Sequence, residues 1–240
     1  MENATYTVLT RQSGLMREMA AVANNIANAS TTGFRKESVI FAEHISRLDN
    51  GAPSISMATA SARDTLDRQG ALAETRGPFD LAIEGPGFFV IETPQGERLT
   101  RAGHFMPNGE GDLVTAEGHR VLDAGGAPVF VPQGVGPIGI GADGTISAEG
   151  QPIGQIGIVM PNDPVGLVRE NGTRFRADGG WAEAPEGRVL QGFLEQSNVN
   201  PIQEITRMIE VQRAYELGQS LLDKEDERIR GVLQALGGRR

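Results

Sequence analysis

The chain has 240 residues and a formal net charge of −9 at pH 7, which argues against nucleic acid as a partner, and no basic stripe interleaved with aromatics argues otherwise. It has no cysteine, which rules out disulfides, thiolate metal sites and cysteine nucleophiles. Only 39% of residues are hydrophobic and 32 are glycine, a composition of many turns and a β-rich portion, and no stretch approaches the roughly 20 apolar residues of a membrane span.

The first element is a helix closing near residue 33. Val8, Gln12, Leu15, Met19, Val22 and Ile26 recur in alternating steps of four and three, a heptad-like seam. Asn24, Asn25 and Asn28 then crowd amides onto the last turn, where they compete with the helical backbone. Ser30-Thr31-Thr32-Gly33 reads as the stop, with Gly33 free to take a positive φ.

Residues 34–76 read as an extended connector, anchored by Phe34, Val39, Ile40, Phe41, Ile45 and Leu48 and broken by the turn signal Asn50-Gly51-Ala52-Pro53. Residues 77–194 read as a compact β domain. Its short apolar runs are 81–83, 88–91, 113–115, 129–131, 156–160 and 189–194. Asn108-Gly109, Gly125-Gly126, Asp143-Gly144, Asn171-Gly172 and Gly179-Gly180 separate them, a pattern of antiparallel strands in a sandwich or barrel.

A second helix starts at Asn200-Pro201-Ile202-Gln203, with Asn200 as cap and Pro201 at the first helical position. Ile205, Met208, Gln212, Tyr215, Gln219, Leu222, Asp226, Ile229, Leu233 and Leu236 follow in steps of three and four. At roughly 1.5 Å per residue this helix is about 55 Å long. Glu210 with Arg213, Glu225 with Arg228 and Asp226 with Arg230 are spaced to pair, and Gly218 is a weak point costing about 1 kcal/mol against alanine. Two ordinary amphipathic helices on a globular core are one reading. Matching seams at both ends of a polar, non-helical middle favour another, an α+β chain. In it a discontinuous, coiled-coil-like helical layer from both termini carries an inserted, mostly antiparallel β domain. The expected division is 1–33 plus 195–240, then 34–76, then 77–194.

No constellation for catalysis, cofactor or metal emerges. His44, His104 and His119 lack ligand spacing, and His104 in Gly103-His104-Phe105 reads as structural. The segment 108–112 lacks the spaced ligands of a calcium loop and reads as a hairpin turn. Gly85-Pro86-Gly87 lacks every further mark of a phosphate loop. Phe88, Phe89, Phe105, Phe130 and Phe193 fall in strands and read as core, whereas Tyr215 on the seam suits a subunit contact.

Residues 23–34, Ala-Asn-Asn-Ile-Ala-Asn-Ala-Ser-Thr-Thr-Gly-Phe, are similar to the N-terminal signature of bacterial flagellar rod and hook proteins. Residues 194–201, Leu-Glu-Gln-Ser-Asn-Val-Asn-Pro, and 208–216, Met-Ile-Glu-Val-Gln-Arg-Ala-Tyr-Glu, resemble their C-terminal signature. Residues 80–90 and 99–105 match their middle. The resemblance spans nearly the whole chain. It departs at Gly77-Pro78-Phe79-Asp80, where the family usually has a Gly-Asn-Pro-Leu-Asp type of run. The short length, Asn200-Pro201 and the tail at 221–229 look most like a proximal-rod member, with a distal-rod member as the alternative.

The resemblance implies a structural, non-enzymatic rod subunit. Its signature residues here are Asn24, Asn25, Asn28, Gly33, Phe34, Ser197, Asn198, Asn200 and Arg213. The seam residues Val8, Leu15, Met19, Val22, Ile26, Ile205, Met208, Tyr215, Leu222, Ile229 and Leu233 would meet other rod proteins or further copies of the chain. The N-terminus lacks the basic and apolar blocks of a cleaved signal, which alone reads as cytoplasmic. The resemblance instead implies export through the flagellar type III apparatus, uncleaved, to the periplasmic rod of the basal body. A cell-wall-acting enzyme or glycan-binding module is the rival class. Acid pairs such as Asp64 and Asp67 could serve one, but nothing marks a cleft.

Overall fold

The computed structural model describes residues 2–46, 55–65, 68–132, 134, 136–184 and 186–237, the side chains of 2–6, 43–46, 55–64 and 237 excepted. The expected turn at 50–53, Leu48, Asp67 and the side chains of Tyr6, His44, Ile45 and Asp64 lie outside the described residues. Helices at the two ends of the sequence and antiparallel strands between them make this an α+β chain. It divides into two compact units.

The first unit holds α1 (Glu2–Ala27), β1 (Glu37–Ser46), β2 (Ile55–Thr65) and the 37-residue α2 (Pro201–Gly237). β1 and β2 form an antiparallel hairpin with one bulge between Ile40 and Phe41, and both strands lie alongside α1. The segment 34–76, expected as a connector, thus carries a long hairpin that groups with the helices. Its physical basis is a backbone ladder supported by a helix, which needs no apolar alternation of its own.

α1 and α2 run antiparallel. Asn25 meets Glu204, Glu18 meets Arg207, and Gln12 reaches Tyr215 and Gln219. The covered positions of α2 are Glu204, Met208, Val211, Tyr215, Gly218, Leu222 and Glu225, in alternating steps of four and three, with Ala214 beside Tyr215. Met208, Tyr215 and Leu222 belong to the expected row. Gln212 and Gln219 are exposed, although Gln219 still reaches Gln12; Val211 and Gly218, one residue earlier, are the more buried positions. Gly218 is more than a weak point, because a Cβ there would stand 3.2 Å from Gln12 Nε2 and 3.4 Å from its Cγ. Asn200 caps α2, its Oδ1 accepting from the amides of Ile202 and Gln203 at 3.1 and 3.3 Å. Along α2 Arg228 pairs with the half-buried Glu225 and Arg230 with Asp226, as spaced, while Glu210 pairs with Arg207.

The second unit contains the loop Asn28–Arg35 and β3 (Leu72–Glu74), β4 (Leu81–Glu84), β5 (Phe88–Thr93), β6 (Gly96–Thr100), β7 (Phe105–Pro107), β8 (Leu113–Thr115), β9 (Arg120–Leu122), β10 (Ile138–Ile140), β11 (Thr145–Ala148), β12 (Gln151–Gln155), β13 (Ile158–Pro161), β14 (Leu167–Asn171), β15 (Arg174–Ala177), β16 (Trp181–Glu183), β17 (Arg188–Gln191) and β18 (Phe193–Glu195). Every strand pair described is antiparallel. The main sheet has nine strands, β14-β15-β6-β5-β9-β8-β7 with β13 and β16 branching from β5. Among the described residues it is an open path with edges at β14, β7 and β16.

The run at 88–91 explains why β5 is central. Phe89 and Ile91 face one cluster with Leu81, Phe105, Leu113 and Ile158, whereas Phe88 and Val90 face a second with Leu99, Val159 and Phe175. A strand buried on both sides must be apolar without alternation. Phe89 meets Phe105 edge-on at 5.2 Å, and Phe88 meets Phe175 at 5.7 Å. The run at 129–131 is buried at Val129 and Val131 but forms only isolated bridges, and Phe130 is exposed rather than core. Pro128 and Pro132 flank it, and neither has an amide hydrogen to extend a ladder.

Candidate functional site

The two signatures build a cluster of buried polar groups in each unit. In the first unit the Asn25 side chain, wholly buried, acts as a missing strand. Its Nδ2 donates to Glu37 O at 2.8 Å, and its Oδ1 accepts from Glu37 N at 2.9 Å. The same Nδ2 donates to Glu204 Oε2 at 2.9 Å, and Lys36 Nζ lies 2.5 Å from Glu204 Oε1. Asn24 adds a bond to Glu37 Oε2 at 3.3 Å. One helix end, one strand start and the first turn of α2 are thereby fixed to each other. Further along, Arg207 reaches Glu18 at 2.5 Å, and this carboxylate, ahead of Glu210, raises the Arg207 pKa above the ordinary guanidinium value.

Replacing Asn25 with alanine leaves the Glu37 backbone groups and part of Glu204 buried without their partner. The expected loss is about 2–3 kcal/mol, since each unsatisfied buried group costs about 1–3 kcal/mol. Denaturant unfolding followed by the helical circular-dichroism signal measures it.

In the second unit the loop Asn28–Arg35 docks against β18 and the segment that follows. Gly33, at φ 71°, donates its amide to Glu195 O at 2.8 Å. Its α-carbon is pressed on the backbone at Arg101 and Ala102; a Cβ would stand 2.3 Å from Ala102 N, so only glycine fits. Glu195, 1% exposed, forms an ion pair with Arg35 at 3.1 Å and accepts from Arg101 at 3.2 Å and from the amide of Gly70 at 3.0 Å. Arg101 also donates to Ile83 O and Gly85 O. Arg169 lies 4.6 Å from the ring centres of both Phe34 and Phe175, and its Nη2 donates to Arg35 O at 2.5 Å. Nearby, the hydrogen bonds of Arg98, then Arg176, hold the Glu170 carboxyl below the usual carboxylate range.

The other signature residues serve the same docking. Asn28 bonds Thr31 through its backbone and side-chain oxygens. Asn198 donates its backbone amide to Phe34 O at 3.3 Å and its side chain to Arg68 O at 2.7 Å. Ser197 Oγ accepts from Val199 N, and Arg213 is exposed on α2. Glu37, Arg35, Arg101, Glu195 and Glu204 escape a reading for hydrophobic periodicity because they are charged. For Arg101 and Glu195 the signal that could find them is a charged residue inside a signature segment; Arg35, Glu37 and Glu204 lie just outside those segments.

Of the expected contact residues, Leu15 and Val22 are buried, and Val8, Met19, Ile26, Met208, Tyr215 and Leu222 are half-buried. Ile205, Ile229 and Leu233 are exposed. With Asn25 level with Glu204 and Gln12 between Tyr215 and Gln219, equal rise puts Glu2 level with about residue 227. The remainder of α2, carrying Ile229, Val232, Leu233 and Leu236, runs past the start of α1 with its apolar side chains 46–70% exposed. Between the helices lies a groove of about 250 Å³ lined by Val8, Gln12, Leu15, Ala214, Leu217 and Leu221 among others. Among the described residues no group of three or more His, Asp or Glu could hold a metal ion, and no helix is long and apolar enough to cross a membrane. His104 Nδ1 is paired with Asp80 Oδ1 at 2.6 Å.

Three family models match the chain: flagella basal body rod protein over residues 6–35, flagellar hook protein FlgE/F/G D1 domain over 82–148, and flagellar basal body rod FlgEFG protein C-terminal over 190–235. The flagellar basal-body rod protein FlgF of Caulobacter vibrioides is 41% identical over 244 aligned residues, covering 99% of each chain. The chain belongs to the flagellar basal-body rod protein family. FlgF of Mesorhizobium japonicum is 37% identical over the full length of both chains, and FlgG of Bacillus subtilis is 32% identical over 98% of each. Among family members the likeness is thus to FlgF proteins, with FlgG proteins also similar. The chain is a structural subunit of the rod, and its buried clusters are those of a scaffold that holds both ends of the chain in register.

Proposed function

We propose that the chain is a non-catalytic axial subunit of the proximal rod. Its terminal segments, 1–33 and 195–240, make coiled-coil-like contacts with other rod proteins or with copies of itself, and the β-rich middle at 77–194 projects as an outer domain. The observation that carries this reading is the free end of α2, an apolar stretch that its own unit leaves uncovered. A head-to-tail contact that uses different surfaces on its two sides does not close on itself and gives a helical assembly. The test is electron microscopy of basal bodies purified from a strain lacking the gene. Rods that stop at their base support a proximal position; rods that stop part-way, with the proximal segment in place, point to the distal-rod reading, which the FlgG likeness keeps as the alternative.

Export by the flagellar type III apparatus, without cleavage, is the route to the periplasmic rod in this reading. Deleting residues 2–33 is expected to leave the protein inside the cell, measured by blotting culture supernatant and cell fractions. Secretion of the truncated chain at the normal level contradicts the route.

A further inference from the structure

The sequence has three Asn-Gly pairs, and two lie within the described residues. Glycine puts no side chain beside its nitrogen, so that nitrogen can approach the preceding asparagine amide. Asn108 is held away from such a reaction. Its Oδ1 accepts from the amides of Glu110 and Asp112, both at 2.9 Å, and the residue is half-buried. Asn171 stands in the opposite situation. It ends β14, an edge strand whose register slips between Arg169 and Asn171, and it is exposed. Among the described residues no hydrogen bond restrains its amide. Gly172 follows at φ 51° with open space around the position of a Cβ.

We propose that Asn171 is a site of spontaneous covalent modification, deamidation through a cyclic imide, with water as the co-reactant. The Gly172 nitrogen loses its proton and bonds to Asn171 Cγ. The bond from Cγ to the side-chain nitrogen breaks, and ammonia leaves with the proton. Water then opens the imide at either carbonyl, giving aspartate or isoaspartate. The net change is water consumed and ammonia released, with no oxidation or reduction. Isoaspartate lengthens the backbone at this turn, and the turn has a specific dependent: Arg169 Nη1 donates to Gly172 O while its guanidinium stacks on Phe34 and Phe175. The modified turn therefore loosens the clamp on the signature loop, whereas plain aspartate leaves the backbone length unchanged.

The test incubates the full-length folded chain at mildly alkaline pH and maps its peptides by mass spectrometry, with isoaspartyl methyltransferase labelling to identify the isomer. Asn171 is expected to convert on the order of tenfold faster than Asn108, since misplacing reacting groups by about an ångström costs up to about a hundredfold. In chain unfolded by denaturant the two sites should convert alike. Equal conversion in the folded chain, or Asn108 leading, overturns the proposal. Isoaspartate-enriched protein should also melt below the Asn171→Asp variant; equal melting overturns the link to Arg169.

Discussion

Replacing Glu195 with alanine is expected to cost the β-rich unit about 3–5 kcal/mol, the loss typical when one partner of a buried ion pair is removed. Glu195 is 1% exposed and is shared by Arg35 and Arg101, themselves 1% and 2% exposed. Without it two guanidinium groups stay buried beside each other, and the Gly70 amide loses its acceptor. For a chain of this size such a loss lowers the melting temperature by on the order of 10 °C. Glu195→Gln keeps an acceptor for Gly70 but no charge, so an intermediate loss is expected. Calorimetry of the purified chain measures both. If Glu195→Ala melts with the parent protein, the cluster is not what holds the loop Asn28–Arg35 in place.

The second large effect is on assembly alone. Leu233→Asp and Ile229→Asp fall on the free end of α2, where the side chains are 63% and 46% exposed. Surface substitutions of this kind change the stability of a free subunit by about 0.5 kcal/mol or less. If that surface is buried between subunits, an unpaired carboxylate there costs several kcal/mol per contact. Soluble protein with unchanged melting, no motility and truncated rods is the expected outcome, read by calorimetry beside swim-plate assays and electron microscopy. Leu15→Asp, at a buried position, is the control that should harm the free subunit as well. Ile26 and Leu222 are weaker choices because they are already half-covered within their own unit. Normal swimming by both surface variants removes the free end of α2 from the assembly contacts.

Much of this architecture is legible from residues alone. The helix ends are written in short-range chemistry: amides at 24, 25 and 28, a glycine at 33, and Asn-Pro at 200–201. The strands around 81–91 and 113–115 follow from continuous apolar runs and glycine turns. What escapes is nonlocal. The hairpin of β1 and β2 is held by a ladder between residues far apart, and Ile55–Thr65 carries no alternation to announce it. The inward row of α2 includes Glu204, Gly218 and Glu225, which a search for apolar periodicity passes over. Of the site, the signature positions could be named, but not their partners. That Asn25 answers Glu37 and Glu204, or that Arg35 answers Glu195, depends on which distant segments meet.

The loop Asn28–Arg35 and the segment after β18 are bonded to each other at Gly33–Glu195 and Phe34–Asn198, close to where the chain enters and leaves the β-rich unit. The polypeptide circuit is therefore short-circuited at its neck. A force that separates the loop Asn28–Arg35 from the residues at 195–198 is borne first by these bonds and the Arg35–Glu195 ion pair.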